Sequence, residues 1–197
     1  MNDSHLTGHG SPWPQSVKWL HIFLASFVTF QLMSELDMKA IWKHLDISPF
    51  RHFLFEAHMW VGMACAVVML LFWIVIARSA PLRAHLFPYT GVYRQRIIKD
   101  LQNGLRGIFP PAGMRGGLPG LVHGLGLLAI SGMALSGTVM FVLILSAGGL
   151  KPGANYQLPH TLHSLLSNLV WAYWWGHIGM ALLHALKTPR ILRIFVP

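Results

Sequence analysis

LHSLLSNLVWAYWWGHIGMALLHAL, residues 162–186, decides how the rest of the chain is read. It is apolar enough for a membrane helix, yet it carries His163, His177 and His184. At about 100° per residue, the step from His163 to His177 returns to within roughly 40° of the same helix face. At about 1.5 Å per residue, the two imidazoles stand roughly 21 Å apart along the axis, one toward each side of a ~30 Å hydrocarbon layer. Histidine in lipid is costly and marks function. Two on one face at opposite depths imply two buried cofactors stacked across a membrane.

Composition agrees. The 197 residues are 54% hydrophobic and 11% charged, with 8 Trp, which places the chain with polytopic membrane proteins. The net charge of +9 is concentrated in particular loops, where it signals topology rather than a nucleic-acid surface. Cys65 is the only cysteine, so an intrachain disulfide, a four-thiolate iron–sulfur site and a thioether-linked haem are excluded. Cys65 reads as a small apolar filler. A metal cofactor would be held mainly by histidine, and 12 His stand against 6 acidic residues.

Four hydrophobic runs are expected as helices, at about 16–34, 53–77, 118–147 and 161–186. Residues 1–15 are polar and Gly/Pro-rich and read as an exposed tail that includes His5 and His9. Residues 37–50 place Met38, Ile41, Trp42 and Leu45 at helical spacing and predict a short amphipathic surface piece. The 78–117 connection carries Arg78, Arg83, Arg94, Arg96, Lys99, Arg106 and Arg115 against Asp100 alone. Within it Ile97, Ile98, Leu101, Leu105 and Ile108 recur as in an interfacial helix. Residues 191–197 form a C-terminal tail after Lys187 and Arg190.

Basic residues stay cytoplasmic. The 78–117 loop and the C-terminal tail are basic, whereas 35–51 is nearly balanced and 147–159 carries only Lys151. The expectation is therefore an all-α integral membrane four-helix bundle, residues 16–190, with N and C termini cytoplasmic. That topology assigns depths. His21 and His177 fall toward the cytoplasmic side, and His58 and His163 toward the outer side. These are two depth-matched pairs, each suited to bis-imidazole ligation of a haem. Gly62 lies one turn from His58, where it either leaves a gap for a flat macrocycle or serves close helix packing.

Other residues are weaker candidates. His123, early in the third run, is either a group near cofactor or quinone or simply interfacial. His184 is placed at the membrane edge, where a haem propionate or a proton could meet it. His160 is an alternative to His163 as outer ligand. Arg78, Arg94 and Arg115 either neutralise propionates, orient quinone or anchor the topology. His44, His52 and His85 read as surface residues.

With these residues in place, the chain resembles the bacterial di-haem cytochrome b family. That family includes membrane subunits of nickel–iron hydrogenases, formate dehydrogenase and thiosulfate reductase, and the small superoxide:quinone oxidoreductase cytochromes. The resemblance covers about residues 16–190. It rests on Lys18 three before His21, on His58-x-x-x-Gly62, and on His163 and His177 fourteen apart. It implies two b haems ligated by His21/His177 and His58/His163. Ile22 stands where relatives commonly have Trp, and MRGGLPGLVH (114–123) lacks the Asn and Gln of the formate dehydrogenase menaquinone site. The long basic loop is more similar to the hydrogenase-type branch.

The function expected is electron transfer across a bacterial inner membrane, in a multi-pass protein linking an iron–sulfur or catalytic redox subunit to quinone. One alternative is a stand-alone quinone oxidoreductase acting on a small substrate such as superoxide. Another is a non-haem transporter or assembly subunit, which would be colourless.

Overall fold

The structure, a computed structural model, describes residues 13–42, 48–111, 113–148, 150–187 and 194–196. Its described elements are helical: α1 (Gln15–Glu35), α2 (Pro49–Arg78), α3 (Ala80–Leu86), α4 (Gly91–Leu105), α5 (Gly117–Ser146) and α6 (Gln157–Lys187), with a 3₁₀ turn at Ala154–Tyr156 before α6. No strand occurs among the described residues.

Three helices, α1, α2 and α5, are long and apolar enough to cross a membrane. Only 22% of each spanning window is buried inside the protein. Leu70 on α2 and Leu135 on α5 are 62% and 70% exposed. Helices that are apolar all round and turn most of that surface outward need a non-aqueous surround. At 31 residues α6 is long enough to join them, but its four histidines, Asn168 and clustered aromatic residues lower its hydropathy.

The chain divides into two compact units, one of residues 1–19, 73–127 and 176–197, the other of 20–72 and 128–175. The first is built on α3, α4 and the opening turns of α5. Ser79 caps α3, accepting the Leu82 N–H at 3.3 Å, and proline occupies its first turn. Arg83 then reaches back to the Ile76 and Ala77 carbonyls at the end of α2, satisfying groups that a helix C-terminus leaves open. Leu82 and Leu86 are 1% and 5% exposed. A Cβ on Gly120 or Gly124 would collide with the carbonyls of His85 and Leu86, so these glycines let α5 approach the end of α3 at backbone distance.

α4 is locked to the start of α5 through polar groups. Asp100 is 6% exposed, receives the Arg115 guanidinium at 2.6 Å and accepts the Leu118 N–H at 3.0 Å. It thus caps the helix it does not belong to. Gly117, at φ +76°, adopts a backbone that side chains rarely take, and a Cβ there would strike the Asp100 carboxylate. Arg96 donates to the Arg115 carbonyl at 2.6 Å.

The second unit packs α1, most of α2 and the matching parts of α5 and α6 around Leu24, Leu32, Cys65, Met69, Ile130 and Val170. Cys65 is buried, as a filler should be. Residues 37–50 depart from the sequence expectation: 38–42 are turn and extended chain, 49 and 50 open α2, and 43–47 lie outside the described residues. Asp37 is instead held by Arg51 at 2.7 Å, and Met38 N bonds the Ser34 carbonyl at the frayed end of α1.

Candidate functional site

Within the second unit, His58 on α2 and His163 on α6 face each other with ring centres 6.4 Å apart and planes at 75°. Each ring is held in the same way. The Ser34 hydroxyl at the end of α1 lies 2.9 Å from His58 Nδ1, and the Ser136 hydroxyl on α5 lies 3.0 Å from His163 Nδ1. Both hydroxyls also reach a backbone carbonyl of their own helix, Ser34 that of Gln31 at 3.0 Å and Ser136 that of Gly132 at 2.8 Å, and we assign their protons to these carbonyls. A hydroxyl has one proton to donate, so toward each imidazole the serine oxygen accepts. With that assignment of the hydroxyl protons, Nδ1 carries the hydrogen in both rings and Nε2 is left with its lone pair. That is the tautomer that binds metal, with the second nitrogen oriented by a hydrogen bond.

The spacing suits one ion between them. Imidazole–metal bonds of about 2.0–2.1 Å, with roughly 1.2 Å from ring nitrogen to ring centre, put opposed ring centres about 6.4 Å apart. The cavity around the pair is apolar, walled by Val28, Met59, Met63, Ile130 and Phe141. Among the described residues no group of three or more His, Cys, Asp or Glu is placed to hold a metal ion. A haem, which brings its own four nitrogens to iron, would need only these two imidazoles from the chain. Two glycines let side chains come close to their helices here. A Cβ at Gly137 would come 3.2 Å from the His163 ring, and Gly62 and Gly137 both line the cavity. At Gly62 a Cβ would come 3.4 Å from the Gln31 amide, which donates to the His58 carbonyl at 2.9 Å. Gly62 thus also makes room for the side chain that steadies the His58 turn. Donor set and walls fit a haem.

Glu35 stands at the rim. Its carboxylate accepts from Ser167 at 2.8 Å and from Trp171 Nε1 at 3.2 Å, which ties it to α6 in the wall of the same cavity. It also lines a second, polar and open cavity with Lys151, Tyr156, His160, Ser164 and Asn168, and His58 and His163 form part of that wall. His160 is exposed and packs 5.5 Å from Tyr156, so His163 is the α6 histidine set opposite His58.

In the first unit, His177 on α6 meets His123 on α5 with ring centres 5.1 Å apart, and His123 lies 6.0 Å from His85. The two rings pack edge-on at 69°, so His123 is a direct ring neighbour of His177. His21 lies on α1 within the second unit. His184 donates Nδ1–H to the Met180 carbonyl at 2.8 Å and packs 4.8 Å from Phe109. Arg78, the last residue of α2, is exposed. Arg115 is committed to Asp100.

His85, expected at the surface, is a correction: it is 2% exposed. Its Nδ1 accepts the backbone N–H groups of Arg115 at 3.2 Å and Gly116 at 3.1 Å, and Trp13 packs edge-on at 5.2 Å. Burial, with the Arg115 charge adding to it, pushes its pKa down to about 4. His44 falls outside the described residues. Sequence reasoning also passed over Ser34, Ser136, Gly137 and Glu35. Nothing in one sequence says whose ring a serine faces.

The profile of prokaryotic cytochrome b561 matches residues 12–197 of the chain. No curated protein sequence and no solved structure matches it. With nearly the whole length of this helical membrane protein matched, the chain belongs to the prokaryotic cytochrome b561 family of haem b electron-transfer proteins.

Proposed function

We propose that the chain is a four-helix cytochrome of the bacterial inner membrane in which α1, α2, α5 and α6 span the bilayer and both termini are cytoplasmic. In this reading it holds two b haems, one between His58 and His163 toward the outer side, the other between His21 and His177 toward the cytoplasmic side. It carries electrons between a redox partner, an iron–sulfur or catalytic subunit of the hydrogenase type, and quinone. The observation that carries the reading is the matched pair of serine-anchored imidazoles at 6.4 Å. The basic 78–117 segment supports the orientation.

A bound haem supplies one-electron chemistry at iron, and the chain supplies position and surroundings. Ser34 and Ser136 fix ring orientation and tautomer. Val28, Met63, Ile130 and Phe141 exclude water, which with the axial ligands sets potential. Gln31 holds the α2 turn that carries His58. His123, His184, Arg78 and Gly62 border the haem and quinone sites in this reading.

Substituting His163 by Ala should remove the outer haem and leave the inner one, and His177→Ala the reverse. Haem per chain, measured on each purified variant, tests this. Full haem content in the His163→Ala/His177→Ala double variant contradicts the ligand assignment.

A second reading, a stand-alone quinone oxidoreductase with a small substrate such as superoxide, draws on the open polar cavity beside His58 and His163. Copurification of a redox subunit from native membranes favours the first reading, and full activity of the isolated chain favours the second. Family membership argues against a non-haem transporter.

A further inference from the structure

α4 is amphipathic in the sense opposite to that of a soluble helix. The side turned into the first unit is mainly polar: Asp100 is buried, and Arg96 and Asn103 are partly covered, with Ile97 the partly covered apolar residue among them. The side turned away carries Ile98 and Leu101, each 55% exposed, and Leu105 at 85%, continued by Ile108 at 55%. A third side, with Gln95, Lys99 and Gln102, is also exposed. Helical geometry puts Leu101, Leu105 and Ile98 within about 60° of one another, with the Gln95/Lys99/Gln102 side next to them. Three differently surfaced sides suit a helix lying flat at an oil–water boundary against a protein.

We propose that α4 lies in the headgroup layer of the membrane, its Ile98/Leu101/Leu105 side in the acyl boundary and its basic residues on anionic lipid phosphates. Three observations choose lipid over a protein partner. First, Asp100 accepts the Leu118 N–H in the first turn of α5, so the middle of α4 is pinned at the level where a membrane-spanning helix begins. Second, that same latch fixes the rotation of α4, so the apolar side cannot turn inward to the protein. Third, Asp100 is the only acidic residue between 78 and 117 and is spent on Arg115, which leaves Arg94, Lys99 and Arg106 without a carboxylate partner among the described residues. Lys99 and Arg106 lie next to the exposed apolar strip and Arg94 stands at its N-terminal end, one turn before Ile98, an arrangement that matches anionic lipid. The inference rests on the chain being a membrane protein and not on the number of haems.

The test uses the full chain in nanodiscs with a fluorophore on a single introduced thiol, Cys65 being buried. Leu101→Cys and Leu105→Cys probe the apolar side, and Gln102→Cys the polar side. In discs of phosphatidylcholine with phosphatidylglycerol, acyl-brominated lipid should quench the two leucine positions at least about twofold more than position 102. Aqueous iodide should show the reverse order. In phosphatidylcholine alone, or in the Arg94→Gln/Lys99→Gln/Arg106→Gln variant, iodide access to position 105 should rise about twofold or more. Leucine positions open to iodide and closed to brominated lipid overturn the proposal. So do leucine positions closed to both quenchers, which would mean that protein covers the face. Equal iodide access in both lipids overturns the headgroup assignment.

Discussion

Ser34 and Ser136 show how much chemistry a single hydroxyl can fix. With its proton assigned to a carbonyl of its own helix, each accepts from Nδ1–H of the facing imidazole. Ser136→Ala leaves that N–H without its oxygen acceptor in a buried site. It should weaken haem retention ~10-fold and raise the outer haem's potential, because an imidazole that no longer donates is a poorer electron donor to iron. Haem titration and a potentiometric titration of the variant check both. His85 gives a pH prediction. Its folded pKa of about 4 lies below the 6.5 of an exposed histidine, so the folded state binds fewer protons than the unfolded state between those values. Stability from this group is fully present above about pH 6.5 and falls as pH drops toward 4, by up to ~3 kcal/mol. Hydrogen exchange at the Arg115 and Gly116 amides should therefore accelerate from pH 7 to pH 4.5 after correction for intrinsic rates, and unchanged protection would contradict it. His58 and His163 were legible as ligand candidates from spacing and depth. His85 was not, because its burial comes from Gly120 and Gly124 drawing α5 against α3, a tertiary contact with no periodic signature.

At the level of elements, the long apolar runs mark where α1, α2 and α5 lie, since twenty or more apolar residues leave a helix few alternatives. α6 is harder: its histidines, tryptophans and Asn168 are polar enough to dilute the hydropathy of the helix that carries two candidate ligands. α3 escaped notice although its start is written in Ser79 and Pro81, a capping residue followed by proline in the first turn. Residues 38–42 misled in the other direction, since Met38, Ile41 and Trp42 at helical spacing do not nucleate a helix without a cap or a packing partner. The Asp100 latch is the element most exposed to mutation. Asp100→Ala removes the partner of a mostly buried Arg115 and the cap of α5 together. It should cost ~3 kcal/mol or more, read as a lower thermal midpoint of the detergent-solubilised protein. Asp100→Asn, which still accepts the Leu118 N–H, should cost less. Equal midpoints for wild type and Asp100→Ala would show that α4 is held otherwise.

For the whole molecule, the charge pattern predicts its placement. With both basic segments on the cytoplasmic side, a thiol introduced at Arg106 should react with an impermeant reagent only from the cytoplasmic face, and one at Lys151 only from the outer face. Labelling of both from one side would rule out the four-span topology. The central claim is that imidazoles from α1, α2 and α6 clamp two irons in this chain. A reduced-minus-oxidised visible spectrum of the purified protein, with haem quantified against polypeptide, addresses it most directly. Two low-spin b haems per chain is the predicted result, and one haem or none would contradict it.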